Sequence, residues 1–169
     1  SMQSQVNRLV DLANALLDLE ELRGSGPAHR EEVPVADLLH EAVCSVAPRD
    51  AAVLVDAPDA TVRVDRRWTE LAVANLVGNA LRHGAGRVRV EGRVDGDRRT
   101  VTVSDEGPGV PEEFPGQAFD RFTRAETSRS TPGSGLGLAL VQAVAQAHGG
   151  DAFLDGGPGA RVVLRLPSD

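Results

Sequence analysis

Apolar residues along the chain follow two rhythms, one near 3.6 residues and one of two, and the switches between them mark out its elements. In the stretch from Val6 to Leu22, Val6, Leu9, Ala13 and Leu16 recur at three-four-three spacing. That spacing predicts a helix and gives it the seam of a coiled coil or helical hairpin, although an amphipathic helix packed on its own domain would show the same stripe. Gly24-Ser25-Gly26-Pro27 follows, a breaker cluster that reads as a joint. A second helix is expected over Val35 to Val46, begun after Pro34, then short strands at Val53–Val55 and Thr61–Val64 around a turn at Pro58-Asp59. Asp65 suits the N-cap of a long helix that ends at His83, with Gly84 as its stop signal. Arg87–Val94 and Thr100–Ser104 alternate with period two around Asp95-Gly96-Asp97, which predicts a hairpin. Val110 to Pro132 shows no sustained period and is punctuated by Pro111, Pro115, Gly116 and Pro132. A last helix from about Leu136 to His148 stops at Gly149-Gly150, and strands near Asp151–Leu154 and Arg161–Leu166 finish the chain. Hairpins require antiparallel pairs, so the expected class is α+β: a mixed sheet with helices on one face.

Composition narrows the possibilities. At 169 residues and 17.8 kDa the chain is the size of one domain with a short appendage, and 41% hydrophobic with 25% charged residues is a globular mixture. A single cysteine, Cys44, excludes a disulfide framework and a cysteine-built metal cluster. No apolar run approaches the roughly 20 residues of a bilayer span. No secretory leader is legible, and the opening Ser1-Met2 reads as a cloning remnant. A net charge of −7 argues against a nucleic-acid surface. The chain has no Lys, Ile or Tyr, and all 18 basic residues are Arg, a usage expected of a GC-rich genome. Without Lys there is no Walker A loop and no Ser/Thr/Tyr protein kinase site. Phosphate chemistry here would rest on Arg, backbone amides and a metal.

Several segments could carry chemistry. On the helix from Asp65 to His83, Asn75, Asn79 and Arg82 share one stripe, with Val73, Val77 and Ala80 opposite. Asn is a mediocre helix former, and two of the chain's four stand here, so a ligand site competes with a plain solvated face. Gly78 in the same stripe would let a ligand approach the backbone. Asp105-Glu106-Gly107-Pro108-Gly109 follows a strand; it is either a simple turn or a carboxylate set above glycines that admit a planar ring. Gly133-Ser134-Gly135-Leu136-Gly137-Leu138 opens a helix, where free amides and the dipole favour an anion, but it lacks the preceding strand of a Rossmann motif. The long intervening segment carries Phe119, Phe122, Arg121, Arg124 and Arg129, and reads either as a surface loop or as a lid that brings Arg to phosphate. His29 and His40 carry no motif, and His148 reads as a helix C-terminal cap favoured by the dipole.

Taken in order, Asn75-Leu-Val-Gly-Asn79-Ala-Leu-Arg82-His83, Asp105-x-Gly107-x-Gly109, Phe119-x-x-Phe122 and Gly133-x-Gly135-x-Gly137 resemble the N box, first glycine box, F box and second glycine box of the catalytic domain of bacterial sensor histidine kinases. The likeness covers roughly Val33 to Pro167. It implies the Bergerat ATP-binding fold shared with DNA gyrase, heat-shock protein 90 and mismatch-repair ATPases: a two-layer sandwich of a mixed, mostly antiparallel sheet with three helices on one face. It also implies ATP and Mg²⁺ as ligands. Asn79 resembles the magnesium ligand. Asn75, Asn79 and Arg82 would be the catalytic set, and His83 a phosphate contact. Asp105 resembles the acceptor for the adenine amine. Gly107, Gly109, Val110, Phe119, Phe122, Arg124, Gly133, Ser134, Gly135, Leu136, Gly137 and Leu138 would complete the nucleotide pocket, with a lid from Val110 to about Ser134.

By the same likeness, residues 1–23 are the end of a dimerisation hairpin, 24–32 a linker and 33–169 the catalytic domain. The phosphoacceptor box, a His followed by an acidic residue and Thr-Pro, does not occur, so the chain resembles the catalytic half of a larger enzyme. The implied partners are that enzyme's own dimerisation domain and a response regulator, not nucleic acid. The parent protein would be a homodimeric plasma-membrane sensor with this domain in the cytoplasm, the isolated fragment being monomeric. Rival readings are an ATPase of the same fold, a stand-alone serine kinase and a non-catalytic binding module. Asn75 separates the first of these: the ATPases carry a Glu general base at that position, and an amide cannot accept a proton at physiological pH.

Overall fold

The computed structural model describes residues 2–24, 29–84, 86–106, 137–155 and 161–167. In chain order the elements are α1 (Met2–Gly24), β1 (Glu31–Pro34), α2 (Val35–Val46), β2 (Val53–Asp56), β3 (Thr61–Val64), α3 (Arg66–His83), β4 (Val88–Asp95), β5 (Arg98–Ser104), α4 (Gly137–Ala147), β6 (Asp151–Leu154) and β7 (Arg161–Pro167). Five strands form one sheet in the order β2-β4-β5-β7-β6, with β2 parallel to β4 and every other pairing antiparallel. The expected α+β class and mixed sheet are both present.

Period-two alternation decides which face is covered. Val88 and Val90 of β4, Val101 and Val103 of β5, Leu164 and Leu166 of β7 and Ala152 of β6 are buried against helices. The covering side chains are Leu38, Leu39 and Ala42 of α2, Ala72, Val73, Leu76 and Val77 of α3, and Leu140, Val141, Val144 and Ala145 of α4. The opposite face carries ion pairs: Arg89–Asp56 at 3.3 Å, Arg93–Glu91 at 2.6 Å and a bidentate Arg165–Asp151 pair at 2.9 and 2.8 Å. Exposed pairs of this kind contribute at most about 1 kcal/mol each, so the helix-covered face holds the fold.

The two short strands expected around Pro58-Asp59 are present, and each has a distant partner. Val53–Asp56 and Thr61–Val64 do not pair across the Pro58-Asp59 turn. β2 joins the main sheet beside β4, and β3 pairs with β1 in a separate two-stranded ribbon with Val33 opposite Val62. β1 has no sequence signature, because Val33 alone of its four residues is buried and Pro34 ends it.

Helix α1 has two apolar faces. Leu19 and Leu22 enter the core, with Leu12 and Ala15 half-buried on the same side, so its C-terminal part packs on the domain beside α4. Val6, Leu9, Val10 and Leu17 point the other way and are exposed, Leu9 by 65% and Leu17 by 67%.

His148 caps the last turn of α4 as expected, its Nδ1 lying 2.8 Å from the Val144 carbonyl, but it does so as a buried neutral ring. Gly149, at φ 78°, ends α4 in a left-handed turn, with its N–H on the Gln146 carbonyl at 3.0 Å and the Gly150 N–H on Ala145 at 2.8 Å. The His148 ring is 2% exposed and accepts the Asp65 backbone N–H at Nε2, 2.9 Å away. An acceptor nitrogen is unprotonated, so the ring is neutral, and what it contributes is a tie between α4 and the head of α3.

The layer arrangement predicts a contrast in urea unfolding. Leu39→Ala, at a fully buried position, should cost about 2–5 kcal/mol. Leu54→Ala on the open face should stay within about 0.5 kcal/mol of the parent. Equal losses would mean that the helices do not cover the sheet as described.

Candidate functional site

The polar stripe lies on α3, which is oriented from its head. Asp65 caps the helix with its carboxylate on the Trp68 N–H at 3.2 Å, while Val73 and Val77 are fully buried. That packing turns Asn75 and Asn79, both half-buried, and the exposed Arg82 away from the core. Asn75 donates its amide to the Leu71 carbonyl at 2.9 Å. Arg82 donates to the Asn79 side-chain oxygen at 3.1 Å. Its guanidinium also lies across Gly78, where a β-carbon would stand 3.2 Å from the nearest guanidinium nitrogen. The bare backbone at 78 thus accommodates Arg82, a cation held beside an amide oxygen.

The other wall comes from the end of β5. Asp105 is buried there, with its carboxylate packed against the Gly84 backbone just beyond α3. A β-carbon at 84 would overlap that carboxylate and come within 2.6 Å of the Ala80 carbonyl oxygen. Gly84 has an extended backbone at φ −88°, so its lack of a side chain serves close approach and not a left-handed turn. The next residue along, Glu106, accepts the Arg87 N–H at 3.1 Å and folds over Gly86. These contacts join the end of α3, the 86–87 turn and the end of β5 into one edge. The sequence pattern had marked Gly84 only as a helix stop and had assigned nothing to Glu106; the glycine pair at 84 and 86 is the one signal that pointed to this close approach.

The structure places Asn75, Asn79 and Arg82 on one face of α3, with Arg82 on Asn79, and Asp105 at the end of β5 beside Gly84. Gly137 begins α4, and Leu138 is half-buried against the core. His83 ends α3, and its side chain lies outside the described residues. Gly107, Gly109, Val110, Phe119, Phe122, Arg124, Gly133, Ser134, Gly135 and Leu136 also lie outside the described residues, as does the segment read as a lid. Among the described residues no three of His, Cys, Asp and Glu gather as a metal cage. Asn79, half-buried with its side-chain oxygen accepting from Arg82, supplies an oxygen ligand of the kind a hard cation uses alongside water and phosphate.

Comparisons with known proteins give the chain its family and its fold. Residues 64–169 match the family described as histidine kinase-, DNA gyrase B-, and HSP90-like ATPase. A probable sensor histidine kinase, HK, from Mycobacterium tuberculosis is 37% identical over 99% of this chain, and the chain spans 46% of that relative. The sensor histidine kinase component HK1 from the same species is 39% identical, covering 80% of this chain and 83% of its own length. The crystal structure of the ATP-binding domain of PrrB from M. tuberculosis superposes with a TM-score of 0.68 at 34% identity, covering 83% of this chain and 98% of that one.

The geometry around Gly84 yields a test that needs no ligand. Gly84→Ala must displace either Asp105 or the last turn of α3, at a cost of about 1–3 kcal/mol in urea unfolding. Adding Asp105→Ala should relieve the part of that strain set by the carboxylate and leave the part set by the Ala80 carbonyl, so the two substitutions should couple in a double-mutant cycle. Additive effects would mean that the two residues do not meet as described.

Proposed function

The chain belongs to the histidine kinase-, DNA gyrase B- and HSP90-like ATPase family, and from that membership we propose that it is the ATP-binding catalytic domain of a sensor histidine kinase, passing the γ-phosphoryl group of Mg-ATP to a histidine on a dimerisation domain. The observation that carries the reading is the pair Asn75 and Asn79, four apart on the open face of α3 with Arg82 beside them and Asp105 at the adjoining strand end. An amide at 75 can orient a phosphate or a water but cannot remove a proton, which favours transfer over hydrolysis.

Asp105 offers a carboxylate to the exocyclic amine of adenine and repels the carbonyl that guanine presents in its place. Arg82 offers a fixed positive charge to phosphate oxygens, and Asn79 an amide oxygen to the metal. Bound magnesium would neutralise phosphate charge at this edge. The backbone at Gly137, the first residue of α4, contributes the positive end of a helix dipole to the same anion. His83, Gly107, Gly109, Val110, Phe119, Phe122, Arg124, Gly133, Ser134, Gly135, Leu136 and Leu138 are proposed to complete the pocket. In the transfer, the bond from the γ-phosphorus to its bridging oxygen breaks as a bond to an imidazole nitrogen forms, and ADP leaves. The chain's task is to position and to stabilise charge.

The chain spans less than half of the full-length relative above, so the acceptor histidine is proposed to come from a dimerisation domain of the parent protein. The exposed stripe Val6, Leu9, Val10 and Leu17 supports residues 1–23 as a helix of that hairpin, with 24–32 as linker and 33–169 as catalytic domain. The parent is proposed to be a homodimeric plasma-membrane sensor, with this domain in the cytoplasm and a response regulator downstream. Among the described residues no helix is long and apolar enough to cross a membrane.

Two measurements test the reading. Asp105→Ala should weaken ATP binding roughly 10- to 150-fold in calorimetry, the loss of a charged hydrogen bond worth about 1.5–3 kcal/mol. Unchanged ATP affinity, or equal affinity for GTP, would exclude the adenine role. Incubated with labelled ATP, the chain alone should neither label itself nor release phosphate quickly. With an added dimerisation domain it should place acid-labile phosphate on that domain's histidine, slowly, because the tether's effective concentration is absent. Rapid turnover to free phosphate would instead make the chain an ATPase.

A further inference from the structure

At the head of α3, about 27 Å along the helix from its tail at 1.5 Å per residue, a second cluster of titratable groups has no part in the proposed transfer. His148 Nδ1 lies 2.8 Å from the Val144 carbonyl, and Nε2 takes the Asp65 N–H. An amide N–H only donates and a carbonyl only accepts, so these partners assign the neutral Nδ1–H tautomer. The Asp65 carboxylate accepts the Trp68 N–H at one oxygen and the His29 N–H, 3.1 Å away, at the other. Arg30 donates to the His148 carbonyl at 3.0 Å. The segment that follows α1 is thus fastened by two bonds, one ending on Asp65 and one on His148.

We propose that this cluster is an acid-released latch, which with His148 neutral fastens residues 29–30 to the junction of α3 and α4 and on protonation of His148 lets them go. A proton on Nε2 would set donor against donor at the Asp65 N–H inside a closed site. Arg30 adds a like charge from the linker; Asp65, the opposing charge from the head of α3, already serves two N–H groups. The neighbouring turn of α4 presents the Val144 carbonyl. Burial, with Arg30 adding to it, holds the ring below the usual imidazole range, against the opposing effects of the Val144 bond and Asp65. The sign follows: latch strength is complete above the ordinary imidazole value near ~6.5 and is lost as pH falls from there through the lowered value of the folded ring.

Release would reach α1. Arg67, two residues from the Asp65 cap, pairs with Glu21 of α1 at 2.8 Å and stacks 4.7 Å from the Trp68 ring. Leu19 and Leu22 of the same helix are buried in the core. The latch therefore acts where the helix preceding the linker meets the catalytic layer. Asp18 of α1, whose carboxyl burial and Glu21 raise, titrates from the carboxylate side, so the ring itself has to be followed.

The test is an NMR titration of the His148 ring in the full chain from pH 8 to 5, with deuterium exchange corrected for intrinsic rates on the same samples. The ring should titrate below the ordinary imidazole value as the Nδ1–H tautomer. Protection at His29, Arg30 and Asp65 should fall about tenfold per pH unit between ~6.5 and the ring's midpoint, while β4 and β5 keep theirs. Fluorescence of Trp68, the sole tryptophan, should shift with the same midpoint. His148→Gln retains an acceptor without a titrating proton and should keep the protection while losing its pH dependence; should that variant not fold, coincidence of the midpoints in the parent chain decides. A ring midpoint at or above the ordinary value, unchanged protection at His29 and Asp65 as the ring titrates, or equal loss in β4 and β5 would each overturn the latch.

Discussion

The carboxylate of Asp65 takes two backbone N–H groups while its own amide is given to a buried imidazole, so one residue fixes where α3 begins, how it is rolled and what it rests on. Roll is the variable that matters. A helix with Val73 and Val77 fully buried has one orientation in which Asn75, Asn79 and Arg82 face outward together. At the far end the Gly84 backbone lies against the Asp105 carboxylate, which sets the axial position of the same helix relative to β5. Pinned at both ends, α3 can present amides and a guanidinium next to a strand-end carboxylate without any of them relying on its own flexible reach.

An acidic chain that handles phosphate needs its positive charge placed locally. The net charge of −7 gives no general attraction for a nucleotide, and Arg89, Arg93 and Arg165 of the open sheet face are consumed in pairs with Asp56, Glu91 and Asp151. Arg82 differs: its partner is the neutral amide of Asn79, so its charge is not cancelled there. Placing a cation on an amide and not on a carboxylate keeps it available to an anion. The same economy of position appears on α1, whose two apolar faces serve the domain's own core and a surface left exposed.

Much of this was legible in the residues, and the failures share a cause. Elements with a strong period or a chemical stop were legible: α2 from Val35 to Val46, α3 between its Asp65 cap and Gly84, and the hairpin at Gly96-Asp97. β1 was invisible because one buried valine in four residues makes no period. β2 and β3 were legible as short strands but their partners were not, because both pair with more distant segments. Asn75, Asn79, Arg82 and Asp105 could be named from motif order, yet the role of Gly84 could not, since a glycine after a helix has a commoner explanation than proximity to a carboxylate. His148 was legible as a cap on α4 but not as a neutral ring tied to α3. Its dipole position argues for a charged ring, and only the distant Asp65 amide shows that the ring is neutral.

The central claim is that Mg-ATP binds along the outer face of α3 beside the end of β5. A titration of the ¹⁵N-labelled chain with Mg-ATP tests it most directly. The account predicts that the largest amide shifts fall at Asn75, Asn79, Arg82, Gly84, Asp105 and Gly137, with Leu54 and Phe153 on the open sheet face nearly unmoved. Shifts centred on that open face, or no saturable change at all, would contradict it.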